Sequence, residues 1–105
     1  MGKLKVIFND RQKAVKLPSG IRMLLRRACN AVLDYEGFEG DAEVNISFVD
    51  DNEIRTLNRQ FRNLDKSTDV LSFPLGHDGE YDINPETGMK MLGDVVISLE
   101  HAVSQ

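Results

Sequence analysis

Four cations in one short segment carry the chemistry most open to reading in this chain. Arg55, Arg59, Arg62 and Lys66 are spaced four, three and four residues apart. At about 100° per residue, a helix would gather them within roughly 60° of one another. Ile54, Leu57, Phe61 and Leu64 would form a separate apolar stripe on the same helix. Like charges in a row repel, and an anion laid along them relieves the repulsion. A phosphodiester backbone is the common biological case. A solvated face, partly neutralised by Glu53 and Asp65, satisfies the same spacing.

Other reactive side chains are sparse. The two histidines are His77, in a polar stretch, and His101, beside Glu100. No histidine pair stands at i, i+4, and the single cysteine, Cys29, falls on the apolar side of a helical pattern. Surface histidines and a core thiol are the expectation, with no metal ligand. Ser67, Ser72 and Ser98 lack a Gly-x-Ser-x-Gly elbow. Asp69 and Asp94 each abut an apolar run, where a carboxylate can cap a strand end.

These residues must be held by something. The first strand is expected over Lys3–Asn9. Ser19 is the candidate N-cap of a helix whose stripe is Ile21, Leu24, Leu25, Ala28, Val32 and Tyr35, with Gly37 as its stop. A second strand covers Ala42–Asp50, with Val44, Ile46 and Phe48 on one side and Glu43, Asn45 and Ser47 on the other. Asp50 and Glu53 then give a D-x-x-E capping signature for the basic helix.

A third strand is expected at Asp69–Leu75, inside DKSTDVLSFPLG. Its Pro74 lacks a ladder donor and suits an edge. The stretch GHDGEYDINPETG reads as a long exposed loop. A fourth strand covers Met91–Leu99, and EHAVSQ reads as the first turn of a further helix. The two strand–helix–strand passages predict parallel neighbours, and the last two strands an antiparallel pair.

The chain has 105 residues, 41% of them hydrophobic and 29% charged, with a formal charge of −4. One soluble domain, residues 1–105, is the expectation. A net negative chain is no general polyanion binder, so any nucleic-acid contact must be a local patch. No apolar run approaches the roughly 20 residues that span a membrane. One cysteine and a strand-like start with no secretory leader point to the cytoplasm.

Two long blocks carry a resemblance. LNRQFRNLDKSTDVLSFPLG (residues 57–76) and LGDVVISLEHA (residues 92–102) resemble the signature blocks of the YbeY family of ribosomal RNA maturation factors. The FVDDNEI segment is also similar. The resemblance implies a zinc-dependent, single-strand-specific endoribonuclease acting in rRNA processing and ribosome quality control. It implies single-stranded rRNA and the ribosome as partners, and no membrane.

The resemblance also implies a metallohydrolase-like α+β fold with a mixed four-stranded sheet, two long helices and an α/β-like start. Its zinc motif, H-x-x-x-H-x-x-x-x-x-H, is absent from these residues. The expectation is therefore an incomplete domain, its C-terminal helices missing, inactive alone and without bound zinc. Carried over by position, Arg62 matches the family's functional arginine and is the catalytic candidate. Arg55, Arg59, Arg62 and Lys66 are the RNA-binding candidates. Thr68, Asp69 and Ser72 belong to an edge strand bordering the cleft.

The fourth strand is apolar on both sides. With both long helices placed on one face of the sheet, the other face is expected to lie bare and to bury itself in a homodimer. A ribosome- or protein-binding module and a metallopeptidase-like hydrolase are the rival readings.

Overall fold

The computed structural model describes residues 2–74, 76 and 80–103. Leu75, at the expected end of the third strand, and His77 lie outside them. The elements run β1 (Leu4–Asp10), α1 (Ile21–Tyr35), β2 (Ala42–Val49), α2 (Asp51–Arg62), β3 (Val70–Pro74), β4 (Lys90–Ser98) and α3 (Leu99–Val103). They form an α+β fold around one mixed sheet of order β1-β2-β4-β3.

β1 runs parallel to β2, and β2 parallel to β4, while β3 lies antiparallel to β4 at the edge. The second strand–helix–strand passage therefore does not make β3 a parallel neighbour of β2, as its pattern predicted. The reason lies in the side chains. Val95 and Ile97 point to one face of β4 and Val96 to the other, and both sides are covered. β3 leaves Val70, Ser72 and Pro74 exposed. A strand buried on both faces takes the interior, and a strand with a proline takes the edge.

The two long helices lie on opposite faces, so no face of the sheet is bare. On one side, Val6, Val44, Ile46, Phe48 and Ile97 form the main core, with Leu25 and Cys29 of α1 against it. On the other side, Ile54 and Leu57 of α2 meet Val49, Leu71, Val96 and Phe73.

α1 is turned relative to its expected stripe. Its inward residues are Ile21, Leu25, Cys29 and Leu33, each four apart, and none is fully buried. Leu24, Ala28, Val32 and Tyr35 are exposed, Tyr35 at 89%. A spacing of four selects a narrower face than the mixed three-and-four pattern did. Gly37 does stop the helix, at φ 67°. Its N–H donates to the Asp34 carbonyl and the Phe38 N–H to the Leu33 carbonyl, the two bonds of a Schellman end.

Ser19 is not the cap of α1. Gly20 holds that position at φ 81°, with no side chain accepting from the helix. Asp50 does cap α2, its Oδ1 accepting from the Glu53 N–H at 2.8 Å. The return half of the capping box is not made, because Glu53 pairs with Arg11 instead.

The GHDGEYDINPETG stretch is not a free loop over its described part. Asn84 Nδ2 donates to Glu43 Oε1 at 2.7 Å, and Ile83 bridges to Lys90. Glu43, on the side of β2 opposite Val44, Ile46 and Phe48, is thereby 4% exposed.

The two helix starts give a test. Asp50→Ala should cost about 1 kcal/mol of stability through the lost cap. Ser19→Ala should change stability by less than about 0.5 kcal/mol. Urea unfolding of the two variants separates them, and equal losses would contradict the assignment of the caps.

Candidate nucleic-acid interface

The basic face begins with how α2 is built. Asp51 and Glu53 occupy its first turn, Arg59 and Arg62 its last, matching the helix dipole at both ends. Ile54 and Asn58 are its buried residues. Phe61 is 65% exposed and Leu64 40%, so the apolar stripe does not continue to the end. The helix stops at Arg62, because Asn63 turns to the left-handed region at φ 56°. Lys66 therefore lies in the following turn, not on the helix that its spacing suggested.

Asn58 explains why the turn stays close. Its side chain is 1% exposed, and Nδ2 donates to the Lys66 carbonyl at 2.9 Å. The Leu64 N–H donates to the Asn58 carbonyl at 3.3 Å. Both amide groups of one residue thus hold the turn against the helix. The sequence held a signal for this: Asn58 stands four residues after Ile54, on the inward side.

The cations are not equivalent. Arg55 Nε lies 3.0 Å from Asp65 Oδ1, and an Arg59 terminal nitrogen 3.9 Å from the same oxygen. The hydrogen bond from Arg55 and its charge hold the Asp65 carboxyl below its ordinary value of 3.8, with Arg59 adding to the effect. Arg62 and Lys66 have no carboxylate partner among the described residues, and both are exposed. Glu53, expected to neutralise the row, faces Arg11 instead.

Of the edge-strand candidates only Ser72 lies in β3; Thr68 and Asp69 precede it, because the strand begins at Val70 rather than Asp69. Thr68 Oγ1 lies 3.4 Å from Asp69 Oδ1, and the Asp69 carbonyl accepts from the Ser98 N–H at 2.8 Å, opening the β3–β4 ladder. Ser72 is exposed on the edge, opposite Val95. Asp94 caps nothing. It sits in mid-strand, with Asn45 and Phe73 as cross-strand neighbours.

His101 is half-buried rather than a plain surface histidine. Its Nδ1 lies 3.3 Å from Ser67 Oγ and 3.6 Å from Asp51 Oδ1. Ser98 Oγ donates to the same Asp51 oxygen at 2.8 Å. Ser67 and Asp51 approach the same ring nitrogen, so these two residues do not flank the ring as the serine and aspartate of a Ser-His-Asp triad do. The network instead ties α2, β4, α3 and the Ser67 turn together.

Among the described residues, no group of three or more His, Cys, Asp or Glu could hold a metal ion. Cys29 faces the main core, and burial pushes its thiol pKa up, away from the thiolate that metals bind. These residues do not fit a zinc site.

The sequence model described as Endoribonuclease YbeY matches residues 7–105. The chain belongs to the YbeY family. It is 47% identical over 102 residues to the Endoribonuclease YbeY of Alkaliphilus metalliredigens, covering 97% of this chain and 64% of the relative. It is 41% identical to that of Clostridioides difficile, covering 97% and 65%. The chain thus spans just under two thirds of the length of these YbeY relatives. The solution structure of TM1509 from Thermotoga maritima is similar in fold, with a TM-score of 0.52 and 25% identity, over 96% of this chain and 55% of that one. The matched YbeY span contains α2, its turn and the edge strand.

The Asp65 pair yields a pH test. A depressed carboxyl contributes stability above its unfolded value of about 3.9, and that contribution is lost as pH falls through the lower folded value. Arg55→Ala should move the Asp65 titration, followed by NMR, upward toward 3.8. An unmoved titration would show that Arg55 does not set it.

Proposed function

We propose that this chain supplies the substrate-holding part of a metal-dependent endoribonuclease that cuts single-stranded RNA during rRNA maturation. The observation that carries this reading is the exposed Arg62, without a carboxylate partner among the described residues, at the end of a basic row and next to Phe61, which meets the edge strand at Phe73 in a YbeY-family domain. Arg55 and Arg59 share their charge with Asp65, so Arg62 and Lys66 offer the least compensated positive charge for a phosphate. A single strand is flexible enough to follow that short, curved row.

In this reading Arg62 stabilises charge at the scissile phosphodiester, and Arg55, Arg59 and Lys66 position neighbouring phosphates. Thr68, Asp69 and Ser72 line the edge against which the strand lies. Zinc enters as the cofactor of the whole enzyme, and the described residues of this chain do not hold it. The 105 residues form one incomplete domain, and activity belongs to the longer protein. A cytoplasmic, ribosome-associated setting suits an rRNA substrate. The homodimer expected through a bare sheet face loses its basis, because α1 and α2 cover opposite faces of the sheet.

Two measurements test it. Arg62→Glu should weaken single-stranded RNA binding at least tenfold and flatten its salt dependence by about one phosphate contact, with the fold unchanged. Binding unchanged at matched salt would remove Arg62 from the interface. Metal analysis after dialysis should find well below one zinc per chain; one tightly held zinc would refute the ligand assignment.

A further inference from the structure

On the flank of α2 away from Asp65, a groove of about 470 Å³ runs between the helix and the sheet. Its size falls within the roughly 300–1,000 Å³ of small-ligand sites. Phe61, Phe73 and Leu57 form its apolar wall, and Asn9, Asn45, Ser47 and Asp94 its polar floor. Phe61 and Phe73 meet edge to face, with ring centroids 5.2 Å apart.

The floor is ordered by the sheet. Asn45 stands between Ile7 and Asp94, and Asp94 between Asn45 and Phe73, so these side chains share one cross-strand row. Asn9 and Ser47 lead the next row. A half-buried sheet face beside a helix is ordinarily apolar. Here Asn45, Ser47 and Asp94 are half-buried, yet with Asn9 they make no side-chain hydrogen bond or ion pair to the described residues. Their donors and acceptors converge, unused, beside an aromatic wall.

We propose that this groove takes one unpaired nucleobase, stacked on Phe61 and read at its edge by Asn45 and Asp94. The inference rests on the RNA reading and gives it a base-selective subsite. Stacking on an exposed ring accepts any base. The Asp94 carboxylate accepts hydrogen bonds and donates none, so adenine and cytosine meet it through an exocyclic amino group and guanine through its amino and imino N–H groups, whereas uracil offers only an N3–H flanked by two carbonyl oxygens that repel the carboxylate. Phe61 and Arg62 are consecutive, so their side chains diverge by about 100° around α2. A strand crossing the last turn of the helix sets its phosphate on Arg62 and its base into the groove.

NMR titration of the isotope-labelled chain with adenosine, cytidine and uridine, and separately with oligo-A and oligo-U, tests this. Nucleosides carry no phosphate and report on the groove alone. Adenosine and cytidine should shift the Asn45, Phe73 and Asp94 signals with at least fivefold tighter affinity than uridine. Asp94→Asn, which keeps shape, should erase that preference, and Phe61→Ala at an exposed position should weaken all three nucleosides. The dispersion of each spectrum confirms that the variant is folded. Oligonucleotides that bind with salt dependence while the groove signals stay still would overturn the subsite and leave the RNA reading intact. Nucleosides that fill the groove while oligonucleotides show no salt-dependent binding would do the reverse. Silent groove signals with every probe, or an unchanged preference in Asp94→Asn, would overturn the subsite.

Discussion

The Asn58 side-chain amide donates to the Lys66 carbonyl from a position that is almost completely buried. That hydrogen bond decides how the basic helix passes into the edge strand. A net contribution of about 0.5–1.5 kcal/mol is typical of such a bond, but a buried group left unpaired costs about 1–3 kcal/mol. The turn from Asn63 to Asp69 therefore has one favoured seat against α2. From that seat Ser67 reaches His101, and the Asp69 carbonyl begins the β3–β4 ladder. Arg62, at the helix end, and Lys66, within the turn, are both exposed, while the inner side of the turn rests on Asn58.

Charge is distributed around this turn rather than along a uniform row. Asp65 serves Arg55 and Arg59, and Glu53 is drawn away by Arg11. On an exposed surface such pairs are screened within about 8–10 Å at ordinary ionic strength. They therefore shape local competition for a phosphate more than they stabilise the fold. Asp65 acts as an internal competitor that an incoming phosphate must match. On a net negative chain this cationic corner favours a strand that meets it there and passes on.

Much of this was legible in the sequence where one physical rule acted alone. Strand alternation placed Val44, Ile46 and Phe48 together, the Asp50 cap began α2, and Pro74 marked an edge. Reading failed where tertiary contacts chose between equal local options. On α1 the sheet kept the expected Ile21, Leu25 and Cys29 inward but left Leu24, Ala28, Val32 and Tyr35, the rest of the expected stripe, exposed. Lys66 keeps a helical spacing from Arg62, yet Asn63 ends the helix between them. Asp94 read as a strand-end cap and Asn45 and Ser47 only as the other side of β2, whereas the three floor a groove that the placement of α2 creates.

The central claim is that the Asn58-held turn presents a phosphate-binding corner. Mapping a bound single-stranded RNA onto the chain by NMR, through the Nε–H signals of the arginines, tests it most directly. The account predicts the largest shifts at Arg62, smaller ones at Arg55 and Arg59, and perturbed amides from Asn63 to Asp69. Shifts confined to α1, with Arg62 and that turn unmoved in saturating RNA, would contradict it.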